Sequence, residues 1–99
     1  TPVCFHGHTH VPVAFTEGLD IKSDFYETVK VERNKRYFVN VGSVGQPRDG
    51  DHRASYCIYD MGGKRIVNRR VEYDYQTAQS KILSAGLPEM LAERLSLGK

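Results

Sequence analysis

With 99 residues the chain has room for one domain at most. Its 39% hydrophobic and 26% charged content is that of a folded globular protein and excludes a disordered chain. A net charge of +2 is too mild to imply nucleic acid or an anionic membrane as partner, although a small phosphorylated substrate stays open.

Taken in order, residues 3–6 (VCFH) read as a short buried strand, and a cluster of histidines follows. Residues 11–15 (VPVAF) are strand-like, and Glu17-Gly18 is a turn signal. Residues 24–33 (DFYETVKVER) are β-rich, with Phe25, Thr28 and Val29 breaking strict alternation. Asn34-Lys35 reads as a two-residue hairpin turn, after which residues 36–41 (RYFVNV) return as a strand. Residues 42–53 (GSVGQPRDGDHR) form a long loop. Residues 54–60 (ASYCIYD) are a strand, Met61 to Lys64 a turn, and residues 65–74 (RIVNRRVEYD) another strand. Val67, Val71 and Tyr73 share a face of that strand with Arg69, which fits a partly wet surface. Ala78, Ile82 and Ala85 recur at spacings of four and three and predict a helix over 76–85. Gly86 stops it, and Pro88 opens a second helix over 88–97. The expectation is five or six strands in a β-rich part, 1–74, followed by two short helices in 75–99.

No apolar run approaches the roughly 20 residues of a membrane-spanning helix, and no secretory leader is legible. Cys4 and Cys57 form no Cys-x-x-Cys pair, which fits free thiols in a reducing, cytoplasmic setting. The chain begins Thr1-Pro2 without Met and enters an apolar run at once. That start reads as the interior of a fold, so a fragment or a processed terminus is expected.

Three of the four histidines, His6, His8 and His10, alternate within CFHGHTHVP (4–12). Neutral imidazole is the commonest protein ligand for Zn, Mn, Fe or Ni. Side chains two apart on an extended chain are about 6.6 Å apart along it. That spacing is awkward for chelating one ion and suits two ions roughly 3.5–4 Å apart, each taking one imidazole. Gly7 permits a sharp backbone path before His8. Two other readings stand beside this one. The histidines can be ordinary surface or core side chains. Alternatively Cys4, His6, His8 and His10 can close a four-coordinate structural zinc site, at the cost of bending a strand onto a tetrahedron. A catalytic site needs more ligands than His8 and His10 supply. Asp49, Asp51 and His52 are the nearest further candidates, but acids on a Gly-rich turn are common for turn reasons.

Gly7-His8-Thr9-His10 matches the G-H-x-H motif of calcineurin-like metallophosphoesterases. Residues 40–51 (NVGSVGQPRDGD) resemble the N-P-G-S-V-G-Q-P-R-D stretch of a bacterial branch of that family related to diadenosine tetraphosphatases and phosphoprotein phosphatases. The terminal AGLPEMLAERL also looks like that branch. Val41 stands where the family has proline. The resemblance implies that His8 binds one divalent metal ion and His10 a second, the metal being Mn, Fe, Zn or Ni. It implies hydrolysis of a phosphate ester. The family's D-x-H, G-D-x-x-D and G-N-H motifs do not occur in these 99 residues. By the resemblance the chain is therefore the C-terminal half of a four-layer α-β-β-α sandwich, an α+β or α/β arrangement, contributing mostly one sheet and two helices. Its expected partners are the missing N-terminal half, a phosphorylated substrate and, through an exposed sheet, a second copy. The isolated chain is expected to be inactive, with no catalytic residue of its own.

Within the loop, Arg48 as a charged fork and Ser43 and Gln46 as donors can reach a phosphate, with Asn40 as an anchor. No Gly-Lys-Ser/Thr follows, so this is not a P-loop. The plainer reading is a structural loop stiffened by Pro47. Arg65, Arg69 and Arg70 lie among acids without interleaved aromatics and read as a solvated strand face rather than a nucleic-acid surface. The functional alternative to an enzyme portion is a non-catalytic metal-binding or assembly module, since a half-sandwich exposes sheet faces and edges.

Overall fold

A computed structural model describes residues 2–18 and 20–99. Among these described residues seven strands precede two helices: β1 (Val3–His6), β2 (Val13–Glu17), β3 (Ile21–Phe25), β4 (Thr28–Lys30), β5 (Arg36–Asn40), β6 (Ala54–Asp60), β7 (Arg65–Val71), α1 (Tyr75–Ser84) and α2 (Glu89–Leu97). The mixed class and the helical C-terminus match expectation. The strands, however, divide into two sheets rather than mostly one. One has the order β1-β5-β2-β3 and the other β4-β7-β6.

The division falls where the sequence suggested a continuous strand over 24–33. β3 ends at Phe25 as the antiparallel partner of β2, whereas β4 begins at Thr28 as the antiparallel partner of β7. The chain thus crosses between sheets at Tyr26-Glu27. It crosses back after β4. Asn34 has φ 62, so the turn is real, but it links β4 to β5 in different sheets and makes no hairpin. Tyr37 ties this crossing down: its hydroxyl donates to the Lys30 carbonyl (3.0 Å) and accepts from the Glu32 amide (2.9 Å).

The sheets face each other across the core. Ala14, Tyr37 and Val39 come from the first and Ile66 from the second, and Val39 and Ile66 are fully buried. Burying one such side chain contributes about 1.5–3 kcal/mol. Along β7 the inward face carries Ile66, then the polar Asn68 and Arg70. Asn68 is satisfied by the Ser55 hydroxyl (2.8 Å), and Arg70 by the Arg53 carbonyl (3.1 Å) and the Asp49 carboxylate. Arg69 and Val71 lie on the wet side as expected.

Asp74 caps α1 by accepting from the Thr77 amide at 3.1 Å. α2 begins one residue after Pro88, which serves as its N-cap, and ends at Gly98 with φ 68. There the Gly98 carbonyl accepts from the Gly50 amide (2.9 Å), and a Cβ would lie 2.7 Å from the Asp51 nitrogen. Only glycine seats the helix end so closely on the long loop. The helices otherwise pack on each other, and the molecule is drawn out to 51 × 25 × 19 Å.

Candidate metal centre

β1 and β5 are parallel neighbours whose last residues, His6 and Asn40, are paired. Both strands therefore release their loops at the same end of the sheet. One loop holds Gly7 to His10. The other is the long loop that follows Asn40.

Asn40 joins them. It is 2% exposed, and a buried amide must find partners. Its Nδ2 donates to the Gly7 carbonyl (3.0 Å) and to Thr9 Oγ1 (2.7 Å). Its Oδ1 accepts from the Gly42 amide (2.9 Å). The Tyr26 hydroxyl donates to its carbonyl at 2.9 Å. Two main-chain bonds complete the seam, from Val41 N to the His6 carbonyl (3.0 Å) and from Arg48 N to the His10 carbonyl (3.1 Å).

His8 and His10 both lie in the left-handed region, at φ 78 and 63. A non-glycine residue there is strained by roughly 1–3 kcal/mol and persists only when surrounding bonds over-determine it. His8 is exposed. His10 is half-buried, and its Nδ1 is 2.8 Å from the Gln46 carbonyl oxygen. A carbonyl only accepts, so Nδ1 carries the proton and the neutral ring keeps its lone pair on Nε2. That is the arrangement in which a second partner readies a histidine to bind metal.

The remaining sequence candidates are placed differently. The Ser43 hydroxyl accepts from the Gln46 amide (2.9 Å), and the Ser43 carbonyl accepts from Ser55 N (2.9 Å), so Ser43 shapes the loop. Arg48 is exposed and donates to the Gln46 side chain at 2.9 Å. Asp49 is paired with Arg70, Asp51 with Arg53 (2.8 Å), and His52 with Glu72 (2.9 Å). The Arg53 guanidinium holds the Asp51 carboxyl down at about 2. These groups bond to one another instead of joining His8 and His10. The four-coordinate Cys-His alternative is also not assembled: His6 stacks on Phe38 with ring centroids 3.9 Å apart, and both cysteines are free. Among the described residues no three of His, Cys, Asp and Glu gather as a ligand group.

Residues 1–64 match the family model of the calcineurin-like phosphoesterase superfamily domain. The chain belongs to the calcineurin-like phosphoesterase superfamily. It is 45% identical over 96 residues to an uncharacterized protein of Methanocaldococcus jannaschii, an alignment that takes in 96% of this chain and 39% of the relative. Its fold is similar to that of a metallophosphoesterase from Sphaerobacter thermophilus, with a TM-score of 0.86 at 41% identity, over 100% of this chain and 43% of the other. The chain thus spans less than half the length of these relatives. The structural likeness extends beyond the residues of the family match, through β7 and both helices.

Members of the calcineurin-like superfamily generally use divalent metals, and the donors present fit that chemistry. His10 is oriented with one nitrogen tied and one free, and His8 is presented on the same turn. Sequence reasoning missed two participants. The Gln46 carbonyl belongs to the main chain and carries no side-chain signal. Thr9 occupies the unspecified position of the motif and gains meaning only from Asn40 opposite.

Proposed function

We propose that this chain is the C-terminal portion of a metal-dependent phosphoesterase acting on phosphate mono- or diesters through a two-metal site. The observation that carries the reading is the His10 ring, whose Nδ1 proton is committed to Gln46 so that Nε2 is free to bind. Superfamily membership supplies the chemical class. His8 would hold one ion and His10 the other, the ions being Mn, Fe, Zn or Ni. When bound, such a pair activates water and offsets the charge developing on the phosphoryl group. Arg48, exposed beside this turn, offers its guanidinium to a phosphate oxygen as a charge-assisted donor. Asn40 and Ser43 hold the two loops in place.

Two imidazoles do not complete a two-metal site. The further ligands belong to a partner segment, the N-terminal part of the enzyme, and the chain alone is inactive. The test is metal analysis of the purified 11.2 kDa chain, with an aryl-phosphate assay in Mn²⁺, alone and after adding the N-terminal part of a full-length relative. Turnover only in the mixture, lost in His10→Ala, is expected. Turnover by the chain alone would overturn the division of the site.

One observation favours the assembly reading as a second function. Phe15 and Phe38 are directly paired across β2 and β5 on the sheet's outer face and are 39% and 47% exposed. A second copy of the chain, or the N-terminal part, would cover them. Self-association without metal binding would support this reading over the first.

A further inference from the structure

We propose that Asn40 is a positioning residue for the paired histidines, a side chain that fixes the backbone presenting both. The inference rests on reading His8 and His10 as metal ligands. Asn40 Nδ2 is bonded to Gly7 O and to Thr9 Oγ1, the residues on either side of His8. Its Oδ1 holds the Gly42 amide, where the long loop begins. That loop carries Gln46, whose carbonyl fixes the His10 ring, and Arg48, whose amide holds the His10 carbonyl. One carboxamide thus secures the His8 turn directly and the His10 turn through the loop it starts. Only a carboxamide offers two donors and one acceptor in a plane of this size. Aspartate has the same shape and no donor, so it would set a carboxylate oxygen against the Gly7 carbonyl. The sandwich core lies elsewhere, around Val39 and Ile66. The main-chain pairing of β5 with β1 and β2 does not need the Asn40 side chain.

The test uses the ¹⁵N-labelled 99-residue chain and its Asn40→Asp variant, with Zn²⁺ as probe. Amide exchange is measured at Gly42 and Arg48 and, as a reference, along the β6–β7 ladder. The imidazole signals of His8 and His10 are followed through a Zn²⁺ titration. We expect the ladder to be unchanged, and the Gly42 amide with it because aspartate still accepts from it, while the Arg48 amide exchanges much faster. The Zn²⁺ midpoint should rise about tenfold or more, the usual consequence of losing an outer partner of a metal ligand. Equal midpoints in the variant and the parent chain would overturn the proposal while leaving the ligand reading intact. Silence of both histidines to Zn²⁺ in the parent chain would instead remove the ligand reading, and the positioning role with it. If Asn40→Asp does not fold, Thr9→Val decides. Thr9 is exposed, and the change deletes one of the two acceptors. A raised midpoint restored by Thr9→Ser supports the proposal, and an unchanged one overturns it.

Discussion

The Gln46 carbonyl oxygen lies 2.8 Å from His10 Nδ1, across 36 residues of chain. A side chain near the start of the protein thus takes its tautomer from a main-chain group in a distant loop. In the neutral state His10 should show the Nδ1–H tautomer. Long-range ¹⁵N–¹H ring correlations read this directly. An Nε2–H tautomer at His10 would contradict the geometry.

Gly42 should not tolerate a side chain. Its φ is +81, and a Cβ would meet Ser55 Oγ at 2.5 Å and Ser55 Cβ at 2.8 Å. Ser55 cannot yield, because it is buried and its hydroxyl donates to the Val41 carbonyl (2.9 Å) while accepting from Asn68 (2.8 Å). Gly42→Ala should cost about 1–3 kcal/mol from backbone strain and overpacking. Urea unfolding measures it, and adding Ser55→Ala should recover part of the loss.

Acid should weaken the seat of α2. The Asp51 carboxyl, held down to about 2 by Arg53 and further by Arg70, has a folded value below its unfolded one. Its contribution is therefore complete above about pH 4 and lost as pH falls towards 2. With Asp51 partly exposed, screening keeps the contribution below about 2 kcal/mol. Arg53→Met should flatten the dependence of the urea midpoint on pH between 4 and 2.

Alkali should act at Tyr26. Burial, reinforced by the Cys57 thiol at 2.8 Å, pushes its hydroxyl far above the usual tyrosine range. A raised folded value means stability that is complete below about pH 10 and lost as pH rises beyond it. Tyr26→Phe removes the bond to the Asn40 carbonyl and should cost about 1 kcal/mol at pH 7. It should also blunt the alkaline loss, as urea midpoints at pH 7 and pH 11 would show.

The outer face of the first sheet should drive self-association. Phe15 pairs with Phe38, and Ile21 and Phe25 on β3 are 73% and 76% exposed. An exposed apolar face of this kind marks an interaction surface. Sedimentation velocity at rising concentration should show species larger than 11.2 kDa, and Phe38→Lys should return the chain to monomer. A chain that stays monomeric throughout would count against the surface.

Local chemistry was legible wherever it sufficed. The spans of β1 and β6, the glycine stop after α1 and the left-handed turn at Asn34 follow from alternation and turn chemistry, properties of neighbouring residues. The spacing of His8 and His10 and the turn-rich stretch after Asn40 are of the same kind, and they pointed to the candidate metal centre. What residues 24–33 would pair with was not legible. Their β-propensity is continuous, yet two strands in two sheets resulted, because partner choice is settled by which core faces close on Tyr37, Val39 and Ile66. The same holds at the centre itself. The sequence by itself determined that two imidazoles sit two residues apart on a glycine-containing turn. Only the tertiary structure, by setting β1 and β5 in parallel, decided that Asn40 and the Gln46 carbonyl would reach that turn. Hydrogen bonds between residues more than 30 apart are set by packing, not by local pattern.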